Sequence, residues 1–252
     1  MPGRPDRRPF GRGPYVLGAG VHPSRQPPPQ AYPFLPPIHD LEGWRPGAEV
    51  TFIVGENGSG KSTLVEALAM ASGFGPQGGP LNAELGWTER ESESDLADAL
   101  VIEKGPHKPR AGFFLRAESF FNVAGLIDAR DLVEVYGGRA LNEQSHGESF
   151  LSLATNRFGP DSLFVLDEPE AALSVTSQLA LLAVMRRSAA SGSQFIVSTH
   201  SPILLRYPGA VVYEASERGL DRIEADDADA VRLLREFMAE PDRYLRHLFD
   251  GD

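Results

Sequence analysis

The sequence predicts an α/β fold with a mainly parallel central sheet flanked by helices. Two observations predict it. First, Val50 to Val54, Ser162 to Leu166 and Gln194 to Ser198 are short, largely apolar runs with β-branched residues, the character of strands buried on both faces. Second, segments with apolar residues at helical spacing, Ser62 to Ala71 and Val175 to Ala189, alternate with those runs. The length of 252 residues suits one large domain with a substantial core.

In chain order, residues 1–37 hold eleven of the 21 prolines, and within Met1 to Pro14 Arg4, Arg7, Arg8 and Arg12 stand against the single acid Asp6. This stretch reads as a partly disordered, loosely attached arm, within which Tyr15 to Val21 can form a short edge strand. Residues 38–252 read as the main domain. Val50 to Val54 stops at Gly55 as a buried strand, and the helix from Ser62 places Leu64, Val65, Leu68 and Ala69 on one side, with Gly73 as its stop. Residues at about 74–158 form an insert subdomain with helical content. It begins turn-rich and acidic (Glu89, Glu91, Glu93, Asp95, Asp98), which suits a solvated surface. Ala99 to Ile102 and Gly112 to Leu115 read as two strands joined by a turn at Gly105 to Pro109, and helical spacing follows over Ser119 to Arg130 and Gly147 to Asn156. After the second and third buried strands, Ala210 to Glu214 is a fourth. Residues 228–249 read as two short amphipathic helices.

Composition removes several function classes. With no cysteine there are no disulfides, thiolate metal sites or cysteine nucleophiles. The longest apolar run, Leu179 to Met185, is too short to span a bilayer, and no basic-then-apolar leader opens the sequence, so a cytoplasmic location is expected. A net charge of −11 opposes broad affinity for phosphate backbones, although a local basic patch remains compatible with DNA. Only three lysines occur, Lys61, Lys104 and Lys108, and the first lies in a motif.

Gly55-Glu56-Asn57-Gly58-Ser59-Gly60-Lys61-Ser62 fits the G-x-x-x-x-G-K-[ST] phosphate-binding loop, with Thr63 just inside the helix that follows. Glycines let successive backbone N–H groups turn toward phosphate oxygens at a helix N-terminus, where the helix dipole favours negative charge. Lys61 then reaches the β- and γ-phosphates and Ser62 ligates Mg²⁺. The bland alternative is a glycine-rich turn with a chance lysine, and the strand before and helix after weigh against it. Asp167 and Glu168 follow the apolar run Leu163 to Leu166, so both carboxylates emerge at the C-terminal edge of the sheet, where α/β proteins bind ligands. Asp167 is the acidic partner of Ser62 for the metal, and Glu168 can polarise the attacking water.

The sequence at this point resembles the ATP-binding cassette (ABC-type) P-loop ATPases. Gln144-Ser145-His146-Gly147-Glu148 stands where that family has its L-S-G-G-Q signature, with His146 for the first glycine and Glu148 for the glutamine. Asp167-Glu168-Pro169-Glu170-Ala171-Ala172-Leu173-Ser174 resembles the Walker B motif running into the D-loop, and Ser198-Thr199-His200-Ser201 resembles the switch-histidine segment. The match covers about residues 50–205 and is similar above all to the soluble SMC-like and RecF-like group and to small bacterial ATPases. It implies a P-loop NTPase fold and ATP with Mg²⁺ as cofactors. It also implies catalysis by Lys61, Glu168 and His200, metal held by Ser62 and Asp167, and an ATP-dependent homodimer in which Ser145, His146, Gly147 and Glu148 complete the partner's site in trans. Glu118 stands near the family's metal-sensing glutamine and is a further candidate ligand. Tyr32, Phe34 and Trp44 are candidates to stack on adenine, each better read as a core or packing residue.

The function expected is therefore a soluble, non-transporter ATPase that switches an unidentified partner protein or a DNA-associated process. The alternative is the nucleotide-binding subunit of a membrane transporter, which the altered signature and the absent glutamine place second. A P-loop kinase needs neither the signature element nor the His200 segment.

Overall fold

The computed structural model describes residues 8–22, 24, 41, 43–81, 96–116 and 145–250. In chain order the strands are β1 (Val16–Val21), β2 (Val50–Val54), β3 (Gly79–Pro80), β4 (Leu100–Lys104), β5 (Ala111–Arg116), β6 (Ser162–Asp167), β7 (Gln194–Ser198), β8 (Val211–Ser216) and β9 (Gly219–Ile223). The main helices are α1 (Lys61–Ser72), α2 (His146–Arg157), α3 (Val175–Ala190), α4 (Asp229–Ala239) and α5 (Pro241–Asp250). Among the described residues, seven strands form one sheet in the order β3-β5-β6-β7-β2-β8-β9. Its five inner strands are parallel and each edge strand is antiparallel to its neighbour. This is the mixed α/β architecture with a mainly parallel sheet that the strand–helix rhythm predicts.

The inner strands are apolar throughout because both faces are covered. Phe52, Val54, Phe164, Leu166, Phe195 and Val197 point into one core, shared with Phe150 and Leu153 of α2 and Leu181 and Met185 of α3. The residues between them, Ile53, Leu163, Val165 and Ile196, point into a second core with Leu64, Val65 and Leu68 of α1. In the first core Phe158, Phe164 and Phe195 form a continuous aromatic stack, with neighbouring ring centroids 4.3 and 4.8 Å apart. Gly73 ends α1 in the left-handed conformation, its N–H donating to carbonyls of the last turn.

Two expectations change. β4 and β5 are not a hairpin: β4 pairs with β1 in a separate two-stranded sheet, while β5 pairs with β6 and β3. The reason is burial. Gly112 to Leu115 of β5 are buried and require an interior position, whereas Val101 of β4 is exposed. Second, residues 8–22 are docked where a loose arm was expected. Gln194, fully buried at the start of β7, accepts from the N–H groups of Tyr15 and Val16 at 2.8 and 2.9 Å. Its amide donates to the carbonyls of Val16 and Gly47. Burial, reinforced by nearby Asp161, pushes the Tyr15 hydroxyl pKa up, and that hydroxyl sits 2.9 Å from the Gly11 and Gly192 carbonyls. The expected helix at Ser119 to Arg130 and the acidic residues Glu89, Glu91, Glu93 and Asp95 lie outside the described residues.

Candidate active site

Since β7 lies between β2 and β6, the loops leaving the C-terminal ends of these three strands are neighbours. The first is the loop Gly55 to Gly60, which the sequence reads as phosphate-binding. Gly55, Gly58 and Gly60 all have positive φ. At Gly55 a side chain is excluded twice over, by φ +145° and by the Ala215 carbonyl oxygen, which a Cβ would approach to 2.3 Å. Gly60 caps α1 in the left-handed conformation and supplies no side-chain acceptor, so the first-turn amides are left to an outside anion. Lys61 is only 3% exposed and its Nζ donates to the Glu56 carbonyl at 2.7 Å. Burial lowers its pKa, and the carboxylates of Glu168, Asp167 and Glu170 oppose that shift. The Ser59 hydroxyl is buried with no hydrogen-bond partner among the described residues. A buried cation, an unpartnered hydroxyl and uncapped amides fit a nucleotide phosphate. Ser62 and Thr63 lie in the same first turn.

The second loop follows β6. Asp167, buried, pairs in register with Ser198 of β7, and its Oδ1 accepts from the Ser198 hydroxyl at 2.5 Å. Glu168 has left-handed backbone at φ +49°, held by its N–H donating to the Ser198 carbonyl at 3.1 Å and to Ser198 Oγ at 3.2 Å. Strained backbone of this kind persists where neighbours enforce it. It turns Glu168 away from the strand direction, and its carboxylate lies 3.5 Å from His200 Nε2. The third loop carries that histidine. Thr199 donates its N–H to the Ile53 carbonyl of β2, and Glu170 Oε1 accepts from the His200 N–H at 2.5 Å. Burial raises the Glu170 pKa, partly offset by that hydrogen bond. His200 Nε2 is buried and has no hydrogen-bond partner among the described residues. Lys61, Asp167, Glu168 and His200 are therefore brought to one edge.

Ser145 caps α2 in a capping box with Glu148: Ser145 N–H and Oγ donate to Glu148 Oε2 at 3.0 and 2.7 Å, and Glu148 N–H donates back to Ser145 Oγ. This gives Glu148 a structural role at the start of α2. His146 opens the helix and Gly147 packs against the Ala172 carbonyl. Trp44 is buried against Tyr213 in the second core, ring centroids 6.2 Å apart. Glu118, Gln144, Tyr32 and Phe34 lie outside the described residues. A cavity of about 630 Å³ opens beside the phosphate loop, lined by Gly55 to Ser59, His200, Glu214, Arg218 and Asp229. Ser198, Glu170 and Arg116 were missed as site residues in the sequence. The signal for the first two was their place in the D-E-P-E and S-T-H-S segments, and only strand register reveals Arg116, which pairs with Asp167.

Residues 141–206 match a family model described as an AAA domain, whose full description extends to an AbiEii toxin and a Type IV TA system. Residues 39–104 match a second AAA domain model. The chain is 27% identical over 218 residues to ABC transporter G family member 6 of Arabidopsis thaliana, covering 75% of this chain and 30% of that protein. It is 24% identical over 208 residues to the energy-coupling factor transporter ATP-binding protein EcfA2 of Leuconostoc mesenteroides, covering 72% and 73%. It is 30% identical over 194 residues to the ribose import ATP-binding protein RbsA of Yersinia pestis, covering 68% and 35%. The chain thus spans less than a third of the G family relatives it matches. A solved SMC head bound to the C-terminal winged-helix domain of ScpA is 14% identical with a TM-score of 0.45, covering 83% of this chain and 98% of that one. Among the described residues no helix is long and apolar enough to cross a membrane. Motifs and relatives agree, and what the chain resembles is the ATP-binding domain of ABC-type P-loop ATPases.

Proposed function

We propose that the chain hydrolyses Mg-ATP held between two copies of itself, and that this cycle switches a partner protein or a DNA-associated process away from the membrane. The observation that carries the reading is the convergence of Lys61, Asp167, Glu168 and His200 at one sheet edge, beside amides with no side-chain cap. Phosphoryl transfer needs mostly positioning and charge stabilisation, which these groups supply. Lys61 neutralises the β- and γ-phosphates. Ser62 and Asp167 would hold Mg²⁺, which when bound offsets the charge that develops on the phosphate oxygens. Glu168 orients the attacking water, and His200, within 3.5 Å of it, senses the γ-phosphate. Ser145, at the exposed N-terminus of α2, would cap the partner's γ-phosphate.

The test is assembly. Glu168→Gln should sediment as a dimer with Mg-ATP and as a monomer or weak dimer without it, and Ser145→Arg should abolish the dimer while each monomer still binds ATP. A Glu168→Gln protein that stays monomeric at tens of micromolar with saturating ATP refutes the shared site. The names of EcfA2 and RbsA favour a second reading, a transporter's ATP-binding subunit. Stimulation of turnover by a co-purified integral membrane protein would favour it.

A further inference from the structure

Arg116 ends β5 and Asp167 ends β6, and the parallel register pairs them directly. The guanidinium is held from the other side. Its Nη1 donates to Glu66 Oε2 at 2.8 Å, and Glu66 lies four residues after Ser62, on the same face of α1. Arg116 Nε faces Asp167 Oδ2 at 3.7 Å, beyond hydrogen-bond reach, and it is buried with no hydrogen-bond partner among the described residues. The side chains of Arg116, Glu66 and Asp167 are 21, 17 and 8% exposed, so water screens this group of charges weakly. Asp167 Oδ1 already accepts from Ser198, which leaves Oδ2 as the oxygen on the side of the arginine.

We propose that the Glu66–Arg116 pair sets the affinity of the Asp167 site for its divalent cation. Arg116 competes for Asp167 Oδ2, and Glu66 holds the guanidinium back. The inference rests on the Mg-ATP reading above. Two cations cannot both be fully compensated by one carboxylate. With Glu66 in place the guanidinium stops at 3.7 Å and Oδ2 stays open to a metal or a metal-bound water. Without Glu66, the same arginine can close onto Asp167 as a charge-assisted hydrogen bond and occupy that position. Opposite substitutions therefore have opposite effects, which damage to the fold does not reproduce.

The experiment measures Mn²⁺ binding by calorimetry or electron paramagnetic resonance on the full chain saturated with a non-hydrolysable ATP analogue. Wild type is compared with Arg116→Gln, Glu66→Gln and the double variant. One charge beside a weakly screened carboxylate is expected to change metal affinity by about tenfold. Arg116→Gln should bind Mn²⁺ about tenfold more tightly and Glu66→Gln about tenfold more weakly, while the double variant should follow Arg116→Gln, because Glu66 acts through the arginine. Analogue binding in EDTA, compared with Lys61→Ala, reports the nucleotide reading separately. If wild type binds the analogue but both single variants move Mn²⁺ affinity the same way, or leave it unchanged, the inference is overturned. If wild type fails to bind the analogue, the nucleotide reading falls and takes the inference with it.

Discussion

Ser198→Ala removes a hydroxyl that links the second and third loops, accepting from the Glu168 N–H at 3.2 Å as well as donating to Asp167. The hydroxyl donates to Asp167 Oδ1 at 2.5 Å, with Ser198 fully buried and Asp167 6% exposed. Deleting one oxygen leaves only a small void, and the Glu168 N–H keeps the Ser198 carbonyl at 3.1 Å, so the backbone connection survives. What is lost is a buried donor to a charged acceptor, worth about 1.5–3 kcal/mol. For a domain of this size that corresponds to a fall in melting temperature of about 3–12 °C. Thermal unfolding without nucleotide, followed by two probes to establish a two-state transition, measures it. Pairing the change with Asp167→Asn in a double-mutant cycle should give a coupling energy above about 1 kcal/mol. In turnover assays Ser198→Ala should need more Mg²⁺ for half-maximal rate, because the carboxylate loses its fixed orientation. A Ser198→Ala protein within about 0.5 kcal/mol of wild type would show that Ser198 does not hold Asp167.

Three other outcomes follow from the same geometry. Lys61→Ala should lose ATP binding while keeping its melting temperature, since burying the amine is itself unfavourable; retained Mg-ATP affinity in calorimetry would refute the phosphate-loop role. Glu168→Gly should abolish hydrolysis yet match wild type in stability or exceed it by up to about 1 kcal/mol, because glycine removes the left-handed penalty; a clear loss of stability in urea unfolding would mean φ is not strained there. Burial raises the Glu170 pKa above its ordinary value of 4.5, so the folded chain keeps a proton that the unfolded chain has released, and stability falls as pH rises through that window. Glu170→Gln lacks this component, so its urea midpoint should gain on wild type as pH rises above about 4.5; a difference constant with pH would refute the shift.

Most of the framework was legible in the sequence because its signals are local. β2, β6 and β7 are unbroken apolar runs, and Gly60 and Gly73 bracket α1. That Gly55 to Gly60 and the Asp167–Glu168 pair follow buried strands was legible for the same reason, each being a short string in a fixed strand context. β9 was not, since Asp221 and Arg222 stand on an exposed edge strand that has no apolar pattern to display. Partner choice was not legible either. β4 and β5 look alike as runs, and only the burial demanded by Gly112 to Leu115 separates them. Gln194 reads as the polar start of a strand, and its bonds to residues 15, 16 and 47 span 147 to 179 positions of sequence. Arg116 became visible beside Asp167 only once strand register was known.

The two cores on opposite faces of the sheet have a consequence for how the molecule can change. Helix α1, behind the phosphate loop, is embedded in one core, while α2, which begins at Ser145, is embedded in the other. A side chain on an inner strand serves one compartment or the other, since neighbours along the strand point opposite ways. Substitutions in separate compartments share few partners, so their energetic effects should add with little coupling. The face that carries Ser145 can thus drift to suit a new partner surface while the packing behind the phosphate loop stays fixed. The sheet works as a firewall between the packing behind the Gly55 to Gly60 loop and the packing behind Ser145, so that one can diversify while the other stays constant.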